Sequence, residues 1–255
     1  MGVKRVAING RVVGSEPGLL AQVGYGHFTA MQVRDRKVRG LALHMARLDA
    51  ANRELFGLAL DREAVLDSIR AVLGDDIADA SVRVYVMEGD RPEVIATAKP
   101  PIEVAEAPRS LRSVVYQRFL PHIKQAGGFA QAYLMGQVKR EGFDEALLTT
   151  EDGLISEGAI TNVGCFDGDR VVWPDAPMLR GITMQLLEEV FAAEGVVQER
   201  RPLKVSDLPG YDLVFLTNSH GVVVVDRVDA QPLKVDENLR TQLAGWYRGI
   251  PGDLL

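Results

Sequence analysis

Four separated stretches of the chain hold side chains that could do chemistry, and a fifth supports them. Lys124 lies in LPHIKQAGG, between Pro121, Ile123 and the pair Gly127-Gly128. That is not the solvated face of an ordinary helix, although a surface-loop lysine fits the same letters. Glu157 lies in LISEGAITNV, among Ile155, Gly158, Ala159 and Ile160. An acid in such company must cap, pair or be buried with a partner. LRGIT, residues 179–183, places a glycine before a helix start, where N–H groups with no intrahelical acceptor attract an anion. TNSHG, residues 217–221, is a turn of small polar residues after an apolar run. HMARLDAANR sets Arg47 about one helical turn from His44. The inventory is an amine, a carboxylate, an anion-binding helix start and a cation.

Other chemistries lack their residues. No GxGxxG follows a strand, no phosphate-cradling GxxxxGKS/T is present, and no GxSxG nucleophile turn occurs. No HExxH and no paired-cysteine signature is found, and His27, His44, His122 and His220 are scattered, so no metal site is expected. The single cysteine, Cys165 in VGCF, reads as a small buried hydrophobe and excludes a disulfide within the chain.

The elements that must position these groups are legible from periodicity. Residues 4–13 and 27–39 alternate and are broken at Asn9-Gly10 and Asp35-Arg36-Lys37, which predicts antiparallel strands. Leu41 to Phe56 reads as a helix with Leu48, Ala51 and Leu55 on one face and Gly57 as its stop. Asp61 caps a second helix with Val65, Ile69 and Leu73 on one face. In 81–87, Val82, Val84 and Val86 point one way and Arg83, Tyr85 and Met87 the other; a valine face is core, and the Arg-Tyr-Met face needs a polar neighbour. Residues 99–112, with three prolines, read as a crossing between subdomains. Beyond it come a helix through about Arg140, the strand EALLTT, turns at Asp152-Gly153 and Asp167-Gly168, a helix from Ile182 to Glu194, two buried strands and a closing polar helix. Strands outnumber crossover helices, which points to α+β.

Composition narrows the partners. In 255 residues, 47% are hydrophobic and 25% charged, as in globular proteins, and the net charge is −6. An acidic chain has no general attraction for nucleic acid or an anionic membrane. No apolar run approaches the roughly 18 residues that cross a bilayer, and the opening MGVKRVAINGRVVG is too polar and alternating for a signal peptide. Glu16 and the same alternation argue against a lipid anchor, so the cytosol is the expected location.

Taken in order, HMARLD, IKQAGG, FDEALL, ISEGAITN, WPDAP, LRGIT and FLTNS resemble the fold-type IV pyridoxal-phosphate (PLP) enzymes from about residue 6 to 232, with 33 residues from Lys124 to Glu157. That family includes branched-chain and D-amino-acid aminotransferases and 4-amino-4-deoxychorismate lyase. The resemblance implies an α+β fold in two subdomains: a small N-terminal α/β part at 1–106, a linker at 107–112 and a larger C-terminal mixed-sheet part at 113–255 that binds the cofactor. It implies PLP as cofactor, an amino acid and a 2-oxo acid as substrates, and a homodimer with a surface near residues 24–33.

By the same resemblance Lys124 is the amine that links to PLP and moves the substrate's α-proton, and Glu157 faces the ring nitrogen. Arg47, the N–H groups of Ile182 and Thr183, the Thr183 hydroxyl and Ser219 hold the phosphate. Arg83 receives a substrate carboxylate or pairs with a structural acid. Thr29 and Met31 line the pocket or are ordinary strand residues. Where the family carries a tyrosine after the lysine this chain has Phe129, with Tyr133 one turn on, and where it carries an arginine after GIT this chain has Met184. EGDRPEV, after the strand at 81–88, is shorter than the family's substrate-covering loop, which implies an open pocket and weak discrimination among side chains. The implied activity is amino transfer; a lyase of the aminodeoxychorismate type, or a PLP binder without turnover, shares the same residues.

Overall fold

A computed structural model describes residues 5–13, 24–89 and 92–255. The opening MGVK, Glu16 and the Asp90-Arg91 tip of EGDRPEV lie outside them. The chain divides into two compact units. The first comprises Met1–Glu103, Ile123–Gly127 and Pro251–Leu255, and the second Val104–His122 and Gly128–Ile250.

The first unit is an antiparallel sheet with two helices. Its elements are β1 (Arg5–Ile8), β2 (Arg11–Val13), β3 (Gly26–Arg34), β4 (Lys37–Val38), α1 (Leu41–Phe56), α2 (Arg62–Leu73), β5 (Ala80–Met87) and β6 (Glu93–Lys99). The sheet runs β4-β3-β5-β6-β1-β2, and the short strand Asp253–Leu254 adds to β4. Helix α1 ends at Gly57, whose left-handed backbone (φ 68°) lets its N–H reach the Arg53 carbonyl. Asp61 caps α2 by accepting from the Ala64 N–H at 3.0 Å. Both helices lay their apolar stripes on one sheet face: Met45 and Leu48 from α1, and Val65, Ile69 and Leu73 from α2, meet Val82, Val84 and Val86. All three valines are fully buried, each contributing roughly 1.5–3 kcal/mol.

Register decides which residues share that face. Thr29 pairs with Val84 and Met31 with Val82, so both belong to the helix-covered core. Phe28 pairs with Tyr85 and Ala30 with Arg83, on the opposite face. The apolar surface expected near residues 24–33 is therefore mostly interior: β3 lies between β4 and β5, and His27, Thr29, Met31 and Val33 are all buried.

The second unit contains β7 (Arg109–Val115), α3 (Phe129–Arg140), β8 (Glu145–Thr149), β9 (Ile155–Gly158), β10 (Asn162–Asp167), β11 (Arg170–Pro174), α4 (Ile182–Ala193), β12 (Val197–Arg201), β13 (Leu213–Asn218), β14 (Gly221–Val228), β15 (Gln231–Pro232) and α5 (Glu237–Gly249). Its mixed sheet runs β12-β11-β10-β13-β14-β7-β8-β9, with β15 on β14. The pairs β11–β12, β14–β7 and β7–β8 are parallel. Phe166, Trp173, Phe191 and Phe215 pack edge-on or tilted under α4 and α5, with Phe166 and Phe215 centroids 5.4 Å apart.

Residues 107–112, expected as a linker, run into β7. That strand is paired on both sides, to β14 and β8, and Leu111 is fully buried, so the segment belongs to the sheet. The proline-rich stretch upstream of it carries no regular element.

Candidate active site

The lysine loop is held by the first unit. Ile123–Gly127 docks along the start of β3: the Lys124 carbonyl accepts from the Phe28 N–H at 2.9 Å, and the Ala126 N–H donates to the Gly26 carbonyl at 3.0 Å. Ile123 is buried and anchors the segment. These two backbone bonds fix the lysine's Cα, and its amine lies 4.9 Å from the centroid of the Phe28 ring. Phe28 in turn stacks on Tyr85 at 5.2 Å, and the Arg83 guanidinium lies 5.8 Å from the same Phe28 ring. An ammonium against an aromatic face is attracted by the ring quadrupole. Arg83 is exposed, and among the described residues no carboxylate lies within salt-bridge distance of it. Structural pairing with an acid, one of the two readings of this arginine, is not what these residues form.

Arg47 and His44 come from α1, on the other side of β3. The Arg47 Nη2 donates to the Thr29 hydroxyl, which lies 2.6 Å from His44 Nδ1. Thr29 is fully buried in this contact, on the helix-covered face of β3. Burial first, then the charges of Arg47 and Lys124, hold His44 well below the ordinary histidine range, so its ring is neutral. The charges of Lys124 and Arg47 thus both bear on one buried imidazole.

The second unit holds the carboxylate and the helix start. Glu157 sits in β9 opposite Leu148, beside a bulge in which Ser156 donates to the Leu148 carbonyl at 3.1 Å. Its carboxylate is buried and doubly engaged. Arg118 donates to Oε1 at 3.4 Å, and the Leu179 N–H donates to Oε2 at 3.2 Å. The turn after Glu157 is braced by Glu145, whose Oε1 accepts from the Ile160 N–H and the Thr161 hydroxyl, both at 2.9 Å. Asn162 ties down LRGIT: its amide donates to the Leu179 carbonyl at 2.6 Å, and its oxygen accepts from the Gly181 N–H at 3.1 Å. A Cβ on Gly181 would lie 2.1 Å from that oxygen, so only glycine permits the approach.

Ile182 and Thr183 open α4, which has no side-chain cap and no acid in its first turn. Their N–H groups have no intrahelical acceptors. The Thr183 hydroxyl donates to the Asn218 carbonyl at 2.6 Å, so its proton links α4 to the TNSHG turn and is not directed at a ligand. Ser219 and His220 form the two-residue turn between β13 and β14. Next to it Thr217 is buried with its hydroxyl unpartnered, on the strand position paired with Asn162.

Two departures from the resemblance acquire physical content. Met184 is fully buried in the aromatic core under α4, where an arginine would be an unpaired charge. Phe129 and Tyr133 stack along the outer face of α3 at 6.3 Å, and the Tyr133 hydroxyl accepts from Gln137 at 3.1 Å.

Arg118, Asn162, Glu145, His44 and Thr217 escaped the sequence reading as working groups. Asn162 and Thr217 lay inside the motifs singled out, and His44 was noted only for its spacing to Arg47. Arg118 and Glu145 had no local signal, since their partners lie 39 and 15 to 16 residues away.

The groups present fit PLP: an amine, an arginine, an uncapped helix start, a buried carboxylate and a buried hydroxyl without a partner. Among the described residues no cluster of His, Cys, Asp or Glu is arranged to hold a metal, and no helix is long and apolar enough to cross a membrane.

The fold is that of the fold-type IV aminotransferases. A Mycobacterium tuberculosis structure described as a hypothetical aminotransferase in its alpha-ketoglutarate- and PMP-bound form superposes with a TM-score of 0.85 at 19% identity, covering 96% of this chain and 98% of that one. A Legionella pneumophila structure provisionally assigned as a 4-amino-4-deoxychorismate lyase gives 0.79 at 18% identity, covering 89% and 92%. At such identities the likeness concerns the fold. The family model Amino-transferase class IV matches residues 26–228, and the chain belongs to that family. A Methanocaldococcus jannaschii protein provisionally assigned as a branched-chain-amino-acid aminotransferase is 25% identical over 222 residues, 79% of this chain and 77% of that protein. The protein is a PLP-dependent aminotransferase.

Proposed function

We propose that the enzyme moves an amino group between an amino acid and a 2-oxo acid, with Lys124 as the amine that links covalently to PLP. Bound PLP supplies an electron sink for the substrate's α-carbon. Lys124 would take the substrate's α-proton and return it. Glu157 faces the ring nitrogen and keeps it protonated. Arg118 and the Leu179 N–H fix the orientation of that carboxylate. Arg47, the N–H groups of Ile182 and Thr183, and Ser219 bind the phosphate. Arg83 receives the substrate carboxylate, a role supported by its exposure beside Phe28 and Tyr85.

The observation that carries the reading is the placement of Lys124. Its backbone is pinned to β3, its amine lies over Phe28, and its charge joins that of Arg47 on His44. The test is a half-reaction. The purified protein is loaded with PLP and exposed to a panel of L- and D-amino acids. Conversion to pyridoxamine phosphate is followed by visible absorbance and mass, and a 2-oxo acid is then added to reverse it. Donor-dependent conversion, reversed by the acceptor, is expected. Bound cofactor that no donor converts would leave a binder without turnover. Pyruvate released from 4-amino-4-deoxychorismate without any acceptor would move the chain to the lyase reading.

The enzyme acts as a homodimer in this reading. In the second unit Phe129 is 82% exposed and Tyr133 55%, and the two rings stack on each other, an aromatic surface that a second copy would cover. Sedimentation should give a dimer, and an active monomer at working concentration would refute it. The cytosol is the proposed compartment, in keeping with a lone buried Cys165 that forms no disulfide.

A further inference from the structure

Thr29 and His44 form a buried relay behind Arg47. A guanidinium can only donate, so Arg47 Nη2 occupies a lone pair of the Thr29 oxygen. The hydroxyl's one proton can then go to His44 Nδ1, 2.6 Å away, in the tautomer that keeps the imidazole hydrogen on Nε2. Both partners are neutral, which distinguishes the relay from an ion pair. A carboxylate in the place of Thr29 would cancel the arginine's charge, whereas a hydroxyl orients the guanidinium and leaves that charge intact. The burial that keeps His44 uncharged keeps it from competing as a second cation. Arg47 and His44 lie three residues apart on α1, and Thr29 is on β3 beneath them, so the three are held by packed elements and not by a loop.

We propose that Thr29 and His44 are positioning residues that pre-orient Arg47 toward the phosphate of PLP. They set affinity for the phosphate-bearing cofactor and take no part in proton transfer. This rests on the assignment of Arg47 as a phosphate ligand. An arginine left to itself loses rotamer freedom when it is fixed on a ligand. Holding one of its nitrogens beforehand reduces that loss on binding.

The test compares dissociation constants of PLP and of pyridoxal, which lacks the phosphate, for wild type, Arg47→Ala, Thr29→Val, Thr29→Ser, His44→Leu and His44→Asn. Thermal midpoints of the cofactor-free proteins are recorded alongside. Valine keeps the shape of threonine and removes the hydroxyl; asparagine places an oxygen near the site of Nδ1. Thr29→Val and His44→Leu should weaken PLP about tenfold, equivalent to about 1.4 kcal/mol, and leave pyridoxal within about twofold. Thr29→Ser and His44→Asn should recover most of the loss. Adding Thr29→Val to Arg47→Ala should cost little more than Arg47→Ala alone. If Arg47→Ala weakens PLP but folded Thr29→Val and His44→Leu do not, the relay is wrong and the phosphate assignment stands. An Arg47→Ala protein that binds PLP as wild type does would overturn the assignment itself, and the relay with it. If Thr29→Val fails to fold, His44→Leu and Thr29→Ser decide: equal losses for PLP and pyridoxal would show a purely structural cluster and overturn the proposal.

Discussion

The two units orient their charged groups with different kinds of partner. In the first, the Lys124 amine lies over the Phe28 ring, and Arg47 donates to the Thr29 hydroxyl with an uncharged His44 behind it. The second engages its anion with Arg118 on one oxygen and a backbone N–H on the other. A ring face or a hydroxyl orients a cation without itself neutralising it. A carboxylate bonded by a guanidinium on one oxygen and a backbone N–H on the other is held in one orientation. The contrast is between cations oriented by neutral groups and an anion oriented by a charged and a neutral donor together.

The largest effect that bears on this contrast is expected at Glu157. Glu157→Gln keeps the shape and removes the charge, so the variant should fold and retain PLP. Its amino-transfer rate should fall by on the order of 100-fold or more, as when a group that stabilises developing charge is lost. Single-turnover rates check it, and a variant as fast as wild type would remove Glu157 from the role.

Acid stability comes next. Burial pushes His27 from 6.5 down to about 4, with Asn52 opposing the shift and Arg47 adding to it. The unfolded chain therefore takes up a proton near pH 6.5 that the folded chain refuses until about pH 4. The contribution is complete above that window and is lost as pH falls through it, by up to about 3 kcal/mol. His44 acts in the same direction. His27→Gln should flatten the thermal midpoint against pH on the acid side, and an unchanged profile would show that the ring accepts its proton in the fold.

The smallest effect has the opposite sign and belongs to the second unit. Burial raises the Glu145 carboxyl above the usual range, against the hydrogen bonds from Ile160 and Thr161 and the charges of Arg109 and Lys139. Its contribution is complete below the ordinary glutamate pKa and fades as pH rises through the folded value. Glu145→Gln keeps an oxygen for Ile160 and Thr161, and should remove that fading. Thermal midpoints from acid to neutral pH check it. A variant whose midpoint falls relative to wild type as pH rises would show that the ionised carboxylate stabilises the turn.

Much of this was readable before any coordinates. The turn at Asn9-Gly10, the helix closed by Gly57, the cap at Asp61 and the valine face of β5 all follow from residues within a few positions of one another. The parallel pairing of β7 with β8 and β14 was not legible, because an apolar run does not state its neighbours. The same limit explains the site. Lys124, Glu157 and the α4 start announced themselves by unusual local company. Thr29 took its function from an arginine 18 residues away, and Arg118 from a carboxylate 39 residues away. Register, invisible in the sequence, turned Thr29 to the helix-covered face and Arg83 to the other.

The most direct test is to trap the cofactor's attachment. The PLP-loaded enzyme is reduced with borohydride, digested and mapped by mass spectrometry, with Lys124→Ala in parallel. The expected result is a single phosphopyridoxyl group on Lys124, absent from the variant. A label on another lysine, or an equal label in Lys124→Ala, would contradict the account.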